Sequence, residues 1–222
     1  MLDVICRFGI EELLVVANTR HGPGGHRGRR ARADEPMHDH LADPDDARRF
    51  LADHDIEPPA GPPDPATLEA LGLLRAEVRT LAGDSGASHP AGVRAGPSAI
   101  AAIAAERSTT GGGPPVQPRH VGQGPASIAV DRLFERYPLR LVSDGRLVPV
   151  APSDDWRGLV ADLLPAVVEL RREADRLRMC GNPLCRFLFI DRSRNASRVW
   201  CEMAVCGNRV RGHRHRLRQA AG

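Results

Sequence analysis

The stretch CGNPLCRFLFIDRSRNASRVWCEMAVCGNR, residues 180–209, contains four of the five cysteines of the chain. They form two pairs, Cys180 with Cys185 and Cys201 with Cys206, and four residues separate the members of each pair. Fifteen residues lie between the pairs. Two close pairs with an insert long enough to fold back are typical of a structural zinc site. Four thiolates complete the tetrahedral coordination of Zn²⁺ and leave no open position for catalysis, so we predict one structural zinc ion.

Three other states of these cysteines stay open: buried free thiols, two disulfides, or an iron or redox site, because four thiolates also suit iron. Disulfides would require export. The first residues, MLDVICRFGIEELLVVA (1–17), lack a basic segment, and Glu11 and Glu12 interrupt the apolar run, so we predict no signal peptide. No apolar run reaches the roughly 18 residues of a membrane span. We therefore expect a cytoplasmic protein that does not act at a membrane.

The residues around the cysteines predict a small treble-clef-like module. The insert 186–200 contains two apolar stretches around the polar turn DRSRNAS, which favours a short hairpin between the pairs. The residues after Cys201 suit a helix. Phe187, Phe189 and Trp200 would form the small core that such a module needs beside its metal. His213 and His215 lie beyond a complete ligand set, and we interpret them as polar residues of this helix.

Charge is unevenly distributed along the chain, whose net charge is +3. Residues 176–222 contain eleven arginines and two acidic residues, a net charge of +9, whereas residues 1–175 contain 20 basic and 26 acidic residues, a net charge of −6. A basic end on an acidic body indicates a polyanionic partner. The arginines expected to contact nucleic acid, in the predicted hairpin and helix, are Arg192, Arg194, Arg198, Arg209, Arg211, Arg214, Arg216 and Arg218.

Helical spacing divides these arginines among several surfaces. Arg211, Arg214 and Arg218 fall on one helix face, with Arg209 and Arg216 beside it. Arg209 either braces the zinc site or makes the first nucleic-acid contact. A solvated tail is the alternative interpretation of the basic run.

Residues 1–175 predict a mainly helical domain with at least one β-hairpin, which makes the whole chain α+β. Asp43 with Pro44, and Asp64 with Pro65, are N-cap and first-turn pairs, and Ser153 is a third N-cap. The helices are expected over 10–18, 43–56, 64–83, 98–108, 126–137 and 153–179, the last kinked or split at Pro165, with loops near 20–36, 83–97 and 109–118. A hairpin over 139–150 turns at Asp144-Gly145.

The C-terminal residues resemble the CGNR zinc finger over roughly 176–218, in the strings CGNPLC, FIDRS and SRVWC and in CGNR itself at 206–209. Beside that resemblance, Gly207 would either allow backbone N–H groups to approach the sulfur or allow tight helix packing. We call residues 180–185 the first cysteine knuckle and residues 201–206 the second. Asn208 would connect the two knuckles by hydrogen bonds.

The body is similar to the ABATE domain, a family described as stress-induced transcription regulators. The matching strings are VVANTR (15–20), LADPDDARRFL (41–51) and PLRLVSDGRLVPV (138–150). The two resemblances imply an ABATE-like regulatory domain at 1–175, a CGNR finger with a basic C-terminal helix at 176–222, and a zinc-binding, DNA-binding regulator of bacterial type.

Other functions would use the same features of the chain. An RNA-binding zinc protein would use the same basic surface, and a zinc-dependent interaction module would contact an acidic protein. The sequence contains no Walker loop, dinucleotide-binding glycine pattern, Gly-x-Ser-x-Gly elbow or His-Glu-x-x-His helix, so we expect no enzyme. A homo-oligomer is possible, although no heptad pattern indicates one.

Overall fold

The computed structural model describes residues 8–23, 35–83, 125–151 and 153–220. Helices in this part of the chain are α1 Ile10–Ala17, α2 Pro44–Ala52, α3 Pro65–Leu81, α4 Pro125–Arg136, α5 Trp156–Arg172 and α6 Asn208–Ala220. Strands pair as β1 Arg20–His21 with β2 His38–Asp39, β3 Leu139–Leu141 with β4 Leu147–Pro149, and β5 Leu177–Met179 with β6 Leu188–Ile190. The predicted α+β class, mainly helical with small hairpins, is confirmed.

Some predicted elements fall outside the described residues. They are the helix over 98–108, the loop over 109–118, nearly all of the loop over 83–97 and most of the loop over 20–36. The fifth cysteine, Cys6, also lies there.

The described residues form two compact units. The first contains 8–20, 39–83, 125–151 and 153–175, and the second contains 21–23, 35–38 and 176–220. Short segments from the N-terminal third of the chain therefore belong with the cysteine-rich C-terminal residues.

The core of the first unit is built by one apolar face from each of α1, α3 and α5. The buried positions recur at three- and four-residue steps, which brings them to one side of a helix. Because aromatic residues are scarce, branched aliphatic side chains fill this core. Its fully buried members include Leu13, Val16, Leu71, Leu74, Val78, Leu163, Leu164 and Val167.

Two predicted N-caps are present, and the third is replaced. The Asp43 carboxylate accepts a hydrogen bond from the Asp46 amide (2.8 Å), and Asp64 accepts one from the Thr67 amide (2.7 Å). The prediction of Ser153 as a cap is wrong: Asp155 accepts from the amides at the start of α5, and the Ser153 hydroxyl donates to Asp155. A carboxylate two residues nearer the helix satisfies its free amides directly.

The helix predicted over 153–179 is shorter than expected. It runs through Pro165 and ends at Arg172, and Leu177–Met179 is instead strand β5. Pairing with β6 requires these three residues to be extended, and this tertiary contact overrides their helical pattern.

The hairpin predicted over 139–150 is confirmed. Leu139 lies opposite Pro149 and Leu141 opposite Leu147, and the turn contains Asp144-Gly145. Gly145 has φ +84°, a left-handed conformation that glycine adopts without a steric penalty.

Thr19, in the VVANTR string, lies in a polar cluster in the first unit. Its buried hydroxyl donates to the Val16 carbonyl (2.7 Å) and lies 3.3 Å from the Arg75 guanidinium. Arg75 forms a two-pronged ion pair with Asp39, at 2.5 and 3.2 Å. Burial alone would raise the pKa of the Asp39 carboxyl, but the hydrogen bond and charge of Arg75 outweigh burial and lower it.

We expect Asp39→Asn to destabilise the first unit by about 1–2 kcal/mol at pH 7, because a mostly buried guanidinium loses its counter-charge. Partial exposure of Asp39 limits the loss. The folded-state pKa is depressed, so this stabilisation is present above about pH 3.9 and is lost as pH falls through the folded pKa. Urea unfolding, monitored by hydrogen exchange of the α3 amides, measures the loss of stability. Glu57→Gln, at an exposed acidic residue, is the control. Equal urea midpoints for Asp39→Asn and the wild type at pH 7 would contradict this prediction.

Candidate metal centre and nucleic-acid interface

The four cysteine sulfurs of the second unit converge on one point. All four Sγ atoms lie within 4.8 Å of one another, and Cys201 Sγ is 3.7 Å from both Cys185 Sγ and Cys206 Sγ. A tetrahedron with Zn–S bonds of 2.3 Å has edges of about 3.8 Å. The spacing therefore matches ligands around one ion, and all four cysteines are free thiols rather than disulfides.

The first knuckle is the turn between β5 and β6. The Cys180 amide donates to the Phe187 carbonyl (2.8 Å), and the Cys185 amide donates to the Asn182 carbonyl (2.9 Å). The hairpin therefore surrounds the first cysteine pair, and the prediction of a hairpin over 186–200, between the pairs, is wrong. Leu188–Ile190 pairs with residues before Cys180, because this register closes the knuckle that presents both sulfurs.

The second knuckle is helical. Cys206 lies in one wide π-helical turn, Met203–Gly207, which continues directly into α6, and its amide donates to the Glu202 carbonyl (2.9 Å). The prediction of a helix after Cys201 is confirmed. The apolar side chains packed around the sulfurs include Phe187, Trp200 and Val205.

Asn182 connects the two knuckles. Its side chain is buried, its Nδ2 lies 3.6 Å from Cys206 Sγ, and its Oδ1 accepts from the Leu184 amide (3.1 Å). Asn208, for which this connecting role is predicted, is exposed at the first position of α6. The repeated Cys-Gly-Asn string is the sequence signal that could have identified Asn182.

Two glycines leave room for Trp200 beside the knuckles. A Cβ atom on Gly181 would lie 2.8 Å from Val199 Cγ1 and 3.1 Å from Trp200 Cζ3. One on Gly207 would lie 3.1 Å from Trp200 Cδ1 and would also clash with Met203 Sδ. The close packing predicted at Gly207 thus has a counterpart at Gly181.

A segment distant in sequence packs on the first knuckle. The Gly22 amide donates to the Cys185 carbonyl (2.8 Å), and the His21 ring meets the Phe187 ring edge-on at 5.1 Å. A Cβ on Gly22 would lie 2.5 Å from the Leu184 carbonyl oxygen, a backbone atom that cannot rotate away.

We expect Gly22→Ala to weaken zinc binding about tenfold, because the knuckle must shift and overpacking costs about 1–3 kcal/mol. A chelator competition on the full chain measures this affinity. Gly72→Ala, in α3 where an added Cβ meets nothing within 4 Å, is the matched control. Unchanged zinc affinity in Gly22→Ala would show that the segment does not support the knuckle.

Crowding of the four sulfurs opposes the ionisation of all of them at once. Hydrogen bonds from the Cys180 sulfur and the other two thiols, together with the Asn182 amide, lower the pKa of the Cys206 thiol. The same crowding, chiefly from Cys180, raises the pKa of the Cys185 thiol. A bound Zn²⁺ would supply the charge that holds four thiolates together.

The predicted nucleic-acid contacts differ in their surroundings. Arg198 donates to the carbonyls of Trp200 (2.8 Å) and Cys201, so it braces the approach to the second knuckle. Arg209 and Arg214 are partly buried on α6, which the buried Val210 anchors. The exposed members are Arg192, Arg194, Arg198, Arg211, Arg216 and Arg218.

Two family models match the chain. Residues 14–173 match ABATE, described as "Putative stress-induced transcription regulator". The chain belongs to the ABATE family. Residues 176–219 match the CGNR zinc finger, so both resemblances noted in the sequence are confirmed, in the same order. In this ABATE protein the four clustered cysteines fit one structural zinc ion.

No curated protein matches this ABATE protein significantly. Among the residues that the structure describes, no helix combines the length and the apolar character needed to cross a membrane. The two matching families are described as a regulator and a zinc finger, and neither description names an enzyme.

Proposed function

We propose that this ABATE protein is a cytoplasmic, non-enzymatic transcriptional regulator that binds DNA through its zinc module. Residues 1–175 form the regulatory domain and residues 176–222 the DNA-binding finger. The observation that supports the proposal is the net charge of +9 on residues 176–222, with exposed arginines on a module folded around four cysteines.

Cysteines from both knuckles would hold the zinc ion, which would cross-link them. Cys180 and Cys185 fix the β5–β6 turn, and Cys201 and Cys206 fix the start of α6. With zinc bound, Cys201 and Cys206 would fix the direction in which α6 leaves the second knuckle. Arginines on a fixed helix can contact phosphates without the ordering cost of a free tail.

Genome-wide mapping of binding sites in the native host tests the proposal. We expect discrete peaks that share a sequence, because a regulator must discriminate its operator from competing sites. Signal confined to transcribed RNA, or no enrichment over an untagged strain, would overturn it. Preference for structured RNA over duplex DNA with purified protein would favour the RNA-binding alternative.

A further inference from the structure

Residues 191–198, here called the Asp191 loop, are organised by one buried carboxylate. Asp191 has no exposed surface and accepts hydrogen bonds from the Ser193 amide (2.9 Å), the Ser193 hydroxyl (2.5 Å) and the Arg198 amide (2.7 Å). Burial alone would raise the pKa of this carboxyl, but the Ser193 and Arg198 hydrogen bonds outweigh it and lower the pKa. One side chain therefore fixes the backbone at both ends of the loop.

Two arginines hold the loop in place. Arg176 donates to the Ser193 carbonyl (2.9 Å) and contacts the Asp191 carbonyl (3.4 Å). Arg198 donates to backbone carbonyls beyond the loop, and its guanidinium lies 5.0 Å from the centre of the Phe189 ring. The guanidinium groups of Arg176 and Arg198 therefore contact other groups of the protein.

The outward side of the loop is polar and cationic. The side chains of Arg192, Ser193, Arg194, Asn195 and Ser197 are exposed, whereas the acidic group of the loop points inward. Ala196 adopts φ +47°, and its amide donates to the Ser193 carbonyl (3.2 Å), which tightens the turn. Arginine, serine, asparagine and backbone amides are the groups that contact DNA phosphates.

We propose that the Asp191 loop is a preorganised contact for the phosphate backbone of duplex DNA, separate from α6. Arg192 and Arg194 contact the phosphates, and Asp191 is a positioning residue that presents them. This inference rests on the proposed function. Because the loop is already ordered, binding loses little conformational entropy there.

The contact is tested by measuring duplex binding of the full chain over a range of salt concentrations. Neutralising one phosphate contributes about 0.9 to the slope of log affinity against log salt. We expect Arg192→Ala/Arg194→Ala to reduce the slope by about 1.8, and affinity at 0.1 M salt by up to about sixtyfold. Exposed Arg132→Ala/Arg172→Ala in the first unit is the matched control, with no expected change.

The positioning role is tested with Asp191→Asn. This variant makes the module one charge more positive, so a purely electrostatic effect would strengthen DNA binding. If Asp191 positions the loop, Asp191→Asn instead binds duplex DNA several-fold more weakly, with unchanged zinc content. If Asp191→Asn loses zinc, the milder variant Ser193→Ala tests the positioning role instead. We expect Ser193→Ala to bind duplex DNA more weakly than the wild type.

Distinct outcomes separate the loop from the general proposal. Unaltered binding by Arg192→Ala/Arg194→Ala, while the wild type binds DNA, would overturn the loop contact alone. Tighter binding by Asp191→Asn would overturn the positioning role. A wild-type protein that does not bind duplex DNA, or that prefers RNA, would overturn the proposed function as well.

Discussion

The Cys206→Ser variant is expected to lose its zinc and unfold residues 176–220, while the first unit stays folded. Cys206 is fully buried at the point where the second knuckle becomes α6. Small zinc modules obtain about 10–16 kcal/mol of apparent folding free energy from the metal. The few apolar side chains around the sulfurs cannot replace that amount. Metal analysis gives the zinc content, and hydrogen exchange reports protection in β5, β6 and α6.

The fifth cysteine provides the matched control for this experiment. Cys6→Ser makes the same chemical change at a cysteine that is not one of the four predicted ligands, and we expect it to retain one zinc per chain. A Cys206→Ser variant that retains stoichiometric zinc would contradict the four-thiolate site. A variant that loses zinc yet keeps β5 and β6 protected would contradict the structural role of the metal.

Arg211→Ala/Arg218→Ala is expected to weaken duplex binding by up to about sixtyfold at 0.1 M salt and to reduce the salt slope by about 1.8. Both side chains are exposed and lie seven residues apart, two turns along one face of α6. Fluorescence anisotropy with a labelled duplex, titrated between 50 and 200 mM salt, measures both quantities.

Arg132→Ala/Arg172→Ala removes the same charge from exposed positions on α4 and α5. If net charge alone determined affinity, both double variants would weaken binding equally. We expect the control to match the wild type. Equal losses would show that α6 is not a defined contact.

Local rules predicted much of the architecture. The caps at Asp43 and Asp64, and the turn at Asp144-Gly145, depend on residues within three positions of each other, so they are visible in the sequence. Cysteine spacing predicted the metal cluster for the same reason, because each knuckle is a short local turn.

Apart from the local Ser153 cap, the features that the sequence did not reveal depend on contacts between segments that are not adjacent in the chain. Residues 177–179 continue a helical pattern, but pairing with β6 makes them a strand. Nothing local to Gly22 indicates that its amide meets Cys185, more than 160 residues away. The repeated Cys-Gly-Asn string offers two asparagines for the contact between the knuckles, and only the folded arrangement shows that Asn182, not Asn208, approaches a sulfur of the other knuckle.

Bound zinc is expected to fold a module whose arginines bind DNA. Duplex affinity of the full chain, measured across salt concentrations with zinc bound and again after chelation, tests it most directly. We expect tight, steeply salt-dependent binding by the zinc form, a loss of at least tenfold after chelation, and recovery when zinc is restored. Identical affinity and salt slope in the two forms would contradict it.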